Sequence, residues 1–497
     1  MSVNGVGAIS ASMLQSILDM RQQLDTLEQQ LGTGQKSTTY SGLGLDAGLT
    51  VSLNAQLASI NNFTTAINTV GTRIDVAQTA LDQMASFGTN VQSAVSQNSF
   101  TLNSSGQTTA QTTALADLDS YLGLLNSQVG NRYIFSGQAS DQPSVDTMDH
   151  ILNGNGAQAG LKQVIDERNQ ADLGDGLGRL QLTQPATNEV DLAEDNATSP
   201  FGFKLAGVNS SLTGATVTGP SGSPKSVNVT LGTSPNPGDT IQYEFNLPDG
   251  TSESITLKAT TDDPPGPNQF TIGATPDDTA DNLKTALDTS VRTLASTALS
   301  AASAVEASNN FFDNPPQRVG TSPFSSATTL VNGSAADTVM WYTGGTTAGS
   351  IRSTATAQID QSITVSYGTQ ANEQGIRWVL QNIATLAATT YSPADPNASA
   401  AVAALNNRVN ANLGVPPGTQ SIQNIEADLA GAQSSMKSAT DRQQQTTSTL
   451  TDLLQKISTV PQEQVGAQIL AMQTSLQASL QVTAMLSKIS LINYLPA

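Results

Sequence analysis

The residues with chemical potential are few in this sequence, and the densest group lies between residues 141 and 150. Asp141, Asp146, Asp149 and His150 place three carboxylates beside the single histidine of the chain. Carboxylate oxygens are the ligands that hard divalent cations prefer, so the group could hold such an ion. Acidic residues in loops are more often simply hydrated, and we expect no metal at this group.

Other signatures of catalysis or cofactor binding are missing from the sequence. One histidine excludes a paired-histidine zinc site of the H-E-x-x-H type, and the absence of cysteine excludes thiolate ligands and disulfides. There is no G-x-x-x-x-G-K-[ST] phosphate loop and no G-x-S-x-G elbow. The stretches GNGAQAG (154–160) and GDGLG (174–178) predict turns. We therefore expect no enzyme activity and no cofactor.

The composition is unusual for a soluble enzyme. Only 37% of the 497 residues are hydrophobic and 12% are charged, so the surface must consist mainly of Gln, Asn, Ser, Thr and Ala. The net charge of −20 argues against a nucleic-acid partner, because phosphate binding needs clustered Lys and Arg. The sequence has no pattern typical of a cleaved signal peptide or of a membrane-inserted helix.

The charge is distributed unevenly. Residues 141–349 contain nine basic and 24 acidic residues, whereas residues 1–140 contain four and eight, and residues 350–497 contain seven and eight. Self-repulsion is concentrated in the middle, so the two ends can approach copies of themselves at little electrostatic cost.

The first part of the chain predicts three helices with apolar seams, because apolar residues recur at alternating spacings of three and four. The second helix spans Ile60 to Met84 with an extension to Val95, and the third spans Leu115 to Val129. The first helix stops near Gly32 and Gly34. Its seam consists of Met13, Ile17, Met20, Leu24, Leu27 and Leu31.

The C-terminal part repeats this pattern. One seam runs from Ile422 to Met436, continues to Ile457 and stops at Pro461. The last helix carries a seam of Val465, Ile469, Met472, Leu476, Val482, Leu486 and Ile489. Such seams can form an intramolecular bundle core or an assembly surface between copies, and the scarcity of flanking charges favours assembly.

The middle of the chain has strand and turn signals instead. Alternating apolar residues predict a β-hairpin over 240–260, and Thr275 followed by proline and two acids predicts a helix start. The segments 337–345 and 362–368 predict strands that lead to a helix over 373–391.

Taken together, the ends resemble the bacterial flagellin family. Three segments carry the resemblance: LEQQLGTGQKSTTYSGLGLDAGL (27–49), TTAINTVGTRIDVAQTALDQM (64–84) and LQASLQVTAMLSKISLINYL (476–495). The segment NRYIFSG (131–137) is similar to the one that ends the first helical arm in hook-filament junction proteins, the hook-associated protein 3 type. By this resemblance, Arg132, Tyr133, Phe135 and Gly137 mark the junction between the helices and an outer domain, with the two aromatic residues packed at the exit.

The resemblance implies a fold and partners. The fold is α+β and multidomain, with a long antiparallel helical bundle or coiled coil of N- and C-terminal segments and an inserted β-rich outer domain. The partners are other copies of the chain, other flagellar axial proteins, an export chaperone and the type III export apparatus. The implied location is the extracellular flagellum.

These implications define the expected domains and functions. We predict a terminal helical domain (1–45 with 455–497), a helical bundle domain (46–140 with 370–454) and an inserted domain (141–369), itself divisible into 141–190 with 330–369, and 191–329. The predicted function is a flagellin-like filament subunit for motility. The alternatives are a hook-filament junction protein, a secreted adhesin with a helical stalk, and an insert with hydrolytic activity.

Overall fold

The computed structural model describes residues 3–97, 100–320, 322–414 and 418–492, and it shows a mixed α+β protein. The helices are α1 (Val3–Thr33), α2 (Asp46–Ser96), α3 (Thr109–Leu125), α4 (Met148–Asn153), α5 (Leu161–Leu173), α6 (Pro276–Leu294), α7 (Ser300–Phe311), α8 (Gln374–Ala388), α9 (Ala398–Leu413), α10 (Ile422–Ser458) and α11 (Gln462–Ile492). The strands are β1 (Leu180–Thr183), β2 (Glu189–Glu194), β3 (Lys204–Ser210), β4 (Ala215–Ser221), β5 (Ser226–Leu231), β6 (Thr240–Asn246), β7 (Ser252–Thr260), β8 (Gln269–Thr271), β9 (Gln317–Val319), β10 (Leu330–Asn332), β11 (Thr356–Gln358) and β12 (Thr364–Ser366).

The chain folds into two compact units. Unit 1 consists of described residues within 1–69, 357–365 and 434–497, and unit 2 of those within 70–356 and 366–433. The expected combination of helices and strands is confirmed. The three-part domain division derived from the sequence remains a prediction.

Unit 1 contains the described residues nearest to both ends of the chain. Helices α1 and α11 pack against each other, and the segment after α1 meets the α10–α11 connection: Val460 N donates to Gly34 O at 3.0 Å and Lys36 N donates to Ser458 O at 2.7 Å. The two helices therefore run antiparallel. A buried Gln443 in α10 connects further segments of the unit: its amide donates to Ile359 O at 2.6 Å and accepts from Thr64 Oγ1 at 3.2 Å.

A helical part of unit 2 is built around α3 and α8, which pack along one another. Thr108 and Gln111 form a capping box at the start of α3. The buried Tyr121 hydroxyl donates to Ile376 O at 2.9 Å, and the Gln111 amide donates to Thr389 O at 2.8 Å. The Gln111 amide thus satisfies a carbonyl that the C-terminal end of α8 leaves without an intrahelical partner, and the Tyr121 hydroxyl ties α3 to the first turn of α8.

Unit 2 also contains two four-stranded β-sheets. One sheet has the order β1-β2-β5-β4 and the other the order β3-β6-β7-β8, with β7 and β8 parallel. The predicted hairpin is confirmed: β6 and β7 pair antiparallel, with Ile241 opposite Leu257. Alternate residues of both sheets share one core with the inner face of α6, including Val229, Tyr243 and Leu287.

The predicted start of α6 is also confirmed. Thr275 caps the helix by accepting from Asp278 N at 3.1 Å, and the Asp278 carboxylate accepts from Thr275 N at 3.1 Å. Because α4 to α7 also lie in the middle of the chain, the expected β-rich insert is in fact mixed α and β.

Three sequence predictions are wrong in whole or in part. Helix α3 ends at Leu125 and does not reach Val129, because the Asn126 side chain accepts from Ser144 N at 2.8 Å and donates to Val145 O at 3.0 Å. The segment 337–345 is not a strand, and of the segment 362–368 only Thr364–Ser366 is one.

The error at 337–345 is explained by how this segment is buried. Trp341 is enclosed among loops, where its indole donates to Phe312 O at 3.1 Å and its ring meets the edge of Phe312 at 5.2 Å. The backbone pairs only at isolated positions, Val145 with Tyr342 and Ala159 with Thr338. An alternating pattern that comes from burial in loops cannot be distinguished in sequence from that of a strand.

None of the helices in the described part of the chain combines the length and the apolar character needed to cross a membrane.

Candidate assembly surface

The predicted seams of α1 and α11 occupy the region where these two helices meet. Ile17 and Ile469 are buried, each with 8% of the side chain exposed. Six further seam residues are half-buried: Met13, Met20, Leu24, Leu27, Met472 and Leu476. The helix pair therefore covers only part of its apolar seam.

Three predicted seam residues face solvent instead. Leu31 is 39% exposed, Val482 44% and Leu486 38%. On α11 the half-buried positions after Leu476 are Ser479 and Thr483. Spacings of three and four continued from Leu476 lead to these two polar positions, whereas the predicted seam steps six residues to Val482 and so leaves the packed face. The side chain of Ile489 lies outside the described residues.

Unit 1 also exposes apolar side chains that the seam analysis did not identify. On α1 these are Leu14 and Leu18, 60% and 47% exposed, and on α11 they are Leu470 and Met485, 67% and 63% exposed. The signal in the sequence was the spacing of four between Leu14 and Leu18, which defines a second apolar stripe beside the first. Further members of this exposed apolar set are Tyr40, Leu45, Leu49, Val51, Leu453 and Leu480.

The exposed apolar set belongs to one unit. Among the described side chains, the large apolar residues classed as exposed all lie in unit 1 except Val331. Unit 2 buries its large apolar residues in contiguous clusters, as is typical of the hydrophobic core of a globular domain. Apolar surface gathered on one unit in this way is typical of an interaction site.

Charge on this surface is low. Helix α11 contains only Glu463 and Lys488 as charged residues, and α1 contains Asp19, Arg21, Asp25 and Glu28. A groove of about 720 Å³ between the two helices is lined mainly by amide and small side chains, including Gln22, Gln468 and Ser475, beside Leu27 and Met472. Covering such a surface requires little desolvation of charge, which is the main cost of burying polar helices.

The predicted junction residues lie together in unit 2. Phe135 is fully buried, Tyr133 is half-buried and Arg132 is exposed, with the Arg132 guanidinium donating to Ser140 Oγ at 2.8 Å. Gly137 has a φ of 59°, and a Cβ there would lie 2.6 Å from the side-chain nitrogen of Gln370. Only glycine fits this left-handed backbone beside Gln370.

The junction is held by hydrogen bonds to the segment just before α8. Ala371 N donates to Phe135 O at 2.8 Å, Thr369 Oγ1 donates to Ile134 O at 2.8 Å, and Gly137 N donates to Thr369 O at 3.2 Å. The chain thus enters and leaves the segment 138–368 through one antiparallel pair, which we call the junction clamp (134–137 with 369–371).

Two members of the predicted acidic group, Asp146 and His150, form a pair. His150 Nδ1 lies 2.9 Å from Asp146 Oδ1, and Asp149 accepts from the Asn153 amide at 2.7 Å. Asp141 is exposed in the loop before it. No cluster of three or more His, Cys, Asp or Glu residues that could hold a metal ion occurs within the ranges that the structure describes.

Unit 2 also contains ionisable groups in its interior. Arg168 pairs with the buried Asp172 at 2.8 Å, and burial raises the pKa of Asp172 while the Arg168 guanidinium opposes that rise. Burial likewise raises the pKa of Glu306, against a hydrogen bond from the Asn309 amide at 2.9 Å. These groups are packed within the fold, so we assign them to stability.

The sequence matches no protein-family model and no curated protein.

Proposed function

We propose that this protein is a structural subunit that polymerises through its terminal helices. The observation that supports the proposal best is the exposed apolar set of unit 1. Covering an exposed leucine by a neighbouring copy contributes up to ~1.5–3 kcal/mol, and the set has members on both α1 and α11. Repeated along a polymer, such contacts stabilise a filament without a reactive centre.

The kind of polymer follows from the resemblance of the chain ends to the bacterial flagellin family. Within this proposal, α1 and α11 form an antiparallel pair that lines the inner part of an extracellular flagellar filament. The resemblance implies a long antiparallel bundle or coiled coil of the terminal segments. In this proposal, the α1–α11 pair of unit 1 is part of that bundle. An export chaperone and the type III export apparatus are then the partners before assembly.

A hook-filament junction protein is the second candidate. The segment 131–137, which forms half of the junction clamp, favours it because its sequence is similar to the corresponding segment of that group. The two candidates differ in copy number: a filament subunit is present in thousands of copies, and a junction protein in about one ring. Electron microscopy of shed appendages with mass spectrometry of their subunits distinguishes them.

The proposal is tested by placing a charge on the exposed apolar set of the full-length chain. Leu470→Asp should abolish polymer formation, since an unpaired carboxylate would be buried at the contact, while the fold of the free chain stays unchanged because Leu470 is 67% exposed. The matched control is Val331→Asp, which adds the same charge at a 46% exposed position of unit 2. Polymers formed equally well by both variants would overturn the proposal.

A further inference from the structure

A cavity of about 280 Å³ in unit 2 contains positive charge without a matching carboxylate. Arg73 from α2 and Arg132 from the junction both line it, and no described acidic side chain does. The remaining lining includes the hydroxyl-bearing residues Tyr133, Tyr367 and Ser140. The cavity is thus cationic and rich in hydroxyl groups, in a chain whose net charge is −20.

These two arginines differ from most arginines of the protein because they form no ion pair with a described acidic residue. Arg168, Arg179, Arg292, Arg318, Arg352, Arg377, Arg408 and Arg442 each form an ion pair with an aspartate or glutamate. Within the described residues, Arg21, Arg73 and Arg132 are the arginines that form none, and two of these three line the same cavity.

The hydrogen bonds of the two guanidinium groups leave donors available. Arg73 Nη1 donates to Tyr367 Oη at 3.4 Å, and Arg132 Nη1 donates to Ser140 Oγ at 2.8 Å. Both acceptors are neutral, and each guanidinium has five N–H donors in a planar fork. Such a fork matches the two oxygens of a carboxylate, and the bond is stronger when the acceptor is charged.

We propose that this cavity binds a small carboxylate-bearing polyol of the sugar-acid class. The arginines bind the carboxylate. Hydroxyl groups of Tyr133, Tyr367 and Ser140 both donate and accept, so they suit the hydroxyl groups of a polyol, and the tyrosine rings cover its apolar face. A cavity of 150 Å³ accepts benzene, so 280 Å³ accommodates a ligand of roughly a dozen non-hydrogen atoms. This inference does not depend on the proposed polymerisation.

The test uses the full chain and D-glucuronate as the probe, with glucuronamide as a neutral ligand of the same size. Titration followed by NMR or calorimetry should show glucuronate binding about tenfold or more tightly than glucuronamide, because the amide lacks the charge that the guanidinium groups recognise. Arg73→Gln and Arg132→Gln should each weaken glucuronate binding by a similar factor. Arg132 is exposed, so its variant is not expected to disturb folding.

Arg21→Gln is the matched control, since Arg21 also lacks an ion pair with a described acid but lies on α1 and is not among the residues that line the cavity. It should leave glucuronate binding unchanged. The proposal is overturned if the wild-type chain binds no glucuronate, if glucuronamide binds equally well, or if Arg21→Gln weakens binding as much as Arg73→Gln. It is also overturned if Arg73→Gln impairs polymer formation while the free chain binds no glucuronate, because the cavity would then receive an acidic side chain of a second copy.

Discussion

Replacing Leu14 and Leu18 by serine should weaken self-assembly while leaving the free chain folded. The two leucines lie one helical turn apart on α1 and are 60% and 47% exposed. Neither belongs to the face that packs on α11, where Ile17 is buried. Their exposed surface is therefore available to a neighbouring copy.

The magnitude follows from the exposed fractions. Full burial of a leucine side chain contributes ~2 kcal/mol, so covering the exposed 60% and 47% of two leucines contributes ~2 kcal/mol in all. About 1.4 kcal/mol corresponds to a factor of ten in an equilibrium constant. The double variant should raise the critical concentration for polymerisation roughly 30-fold.

The assay is sedimentation of polymer over a series of total protein concentrations, with the unfolding midpoint of the free chain measured in parallel. Val331→Ser is the control, because it removes a similarly exposed apolar side chain from unit 2. An unchanged critical concentration in the Leu14 and Leu18 double variant, or an equal rise in the Val331 control, would refute the assignment of this surface.

Two further predictions concern stability in unit 2, measured by urea unfolding. The pKa of Glu306 is raised by burial, so the folded chain holds this proton more tightly than the unfolded chain, and stability falls as pH rises above 4.5 through the folded pKa. Glu306→Gln should therefore have a higher free energy of unfolding than wild type at pH 7, and this difference should shrink towards pH 4. An equal difference at both pH values would contradict the reasoning. Gly137→Ala should cost about 2 kcal/mol or more, against about 1 kcal/mol for Gly130→Ala, because both glycines have a φ of 59° but only at Gly137 would the new Cβ meet neighbouring atoms. Equal losses of stability in the two variants would show that the Gln370 side chain moves aside at no measurable cost, which would contradict this prediction.

The sequence predicts elements well where local chemistry decides them. The β6–β7 hairpin followed from alternation and a Pro-Asp-Gly turn, and the start of α6 followed from Thr275 and its capping acids. The prediction failed where long-range contacts decide. Asn126 ends α3 by hydrogen bonding to the segment 144–145, which lies far outside the local window.

The candidate surface was only partly predictable for a similar reason. Spacing identified the residues that α1 and α11 direct at each other as far as Leu476, but the next positions in register are the polar Ser479 and Thr483, so an apolar pattern leads to the exposed Val482 instead. The stripe of Leu14 and Leu18 is not evident from the sequence, because its two residues lie beside a longer and more regular apolar seam. Which of two adjacent stripes is covered depends on the partner helix, and that information is not local.

The junction clamp has a consequence for how this architecture can vary. Residues paired across antiparallel strands have Cα atoms about 5 Å apart, and the clamp sets this spacing for whatever lies between 138 and 368. A domain whose own termini are neighbours could replace most of that stretch, with residues 357–365 of unit 1 retained, without opening the pair between Ser136 and Gln370. Related chains could thus differ widely in size and fold between residue 138 and residue 356, and a foreign domain of this kind could be displayed there by grafting.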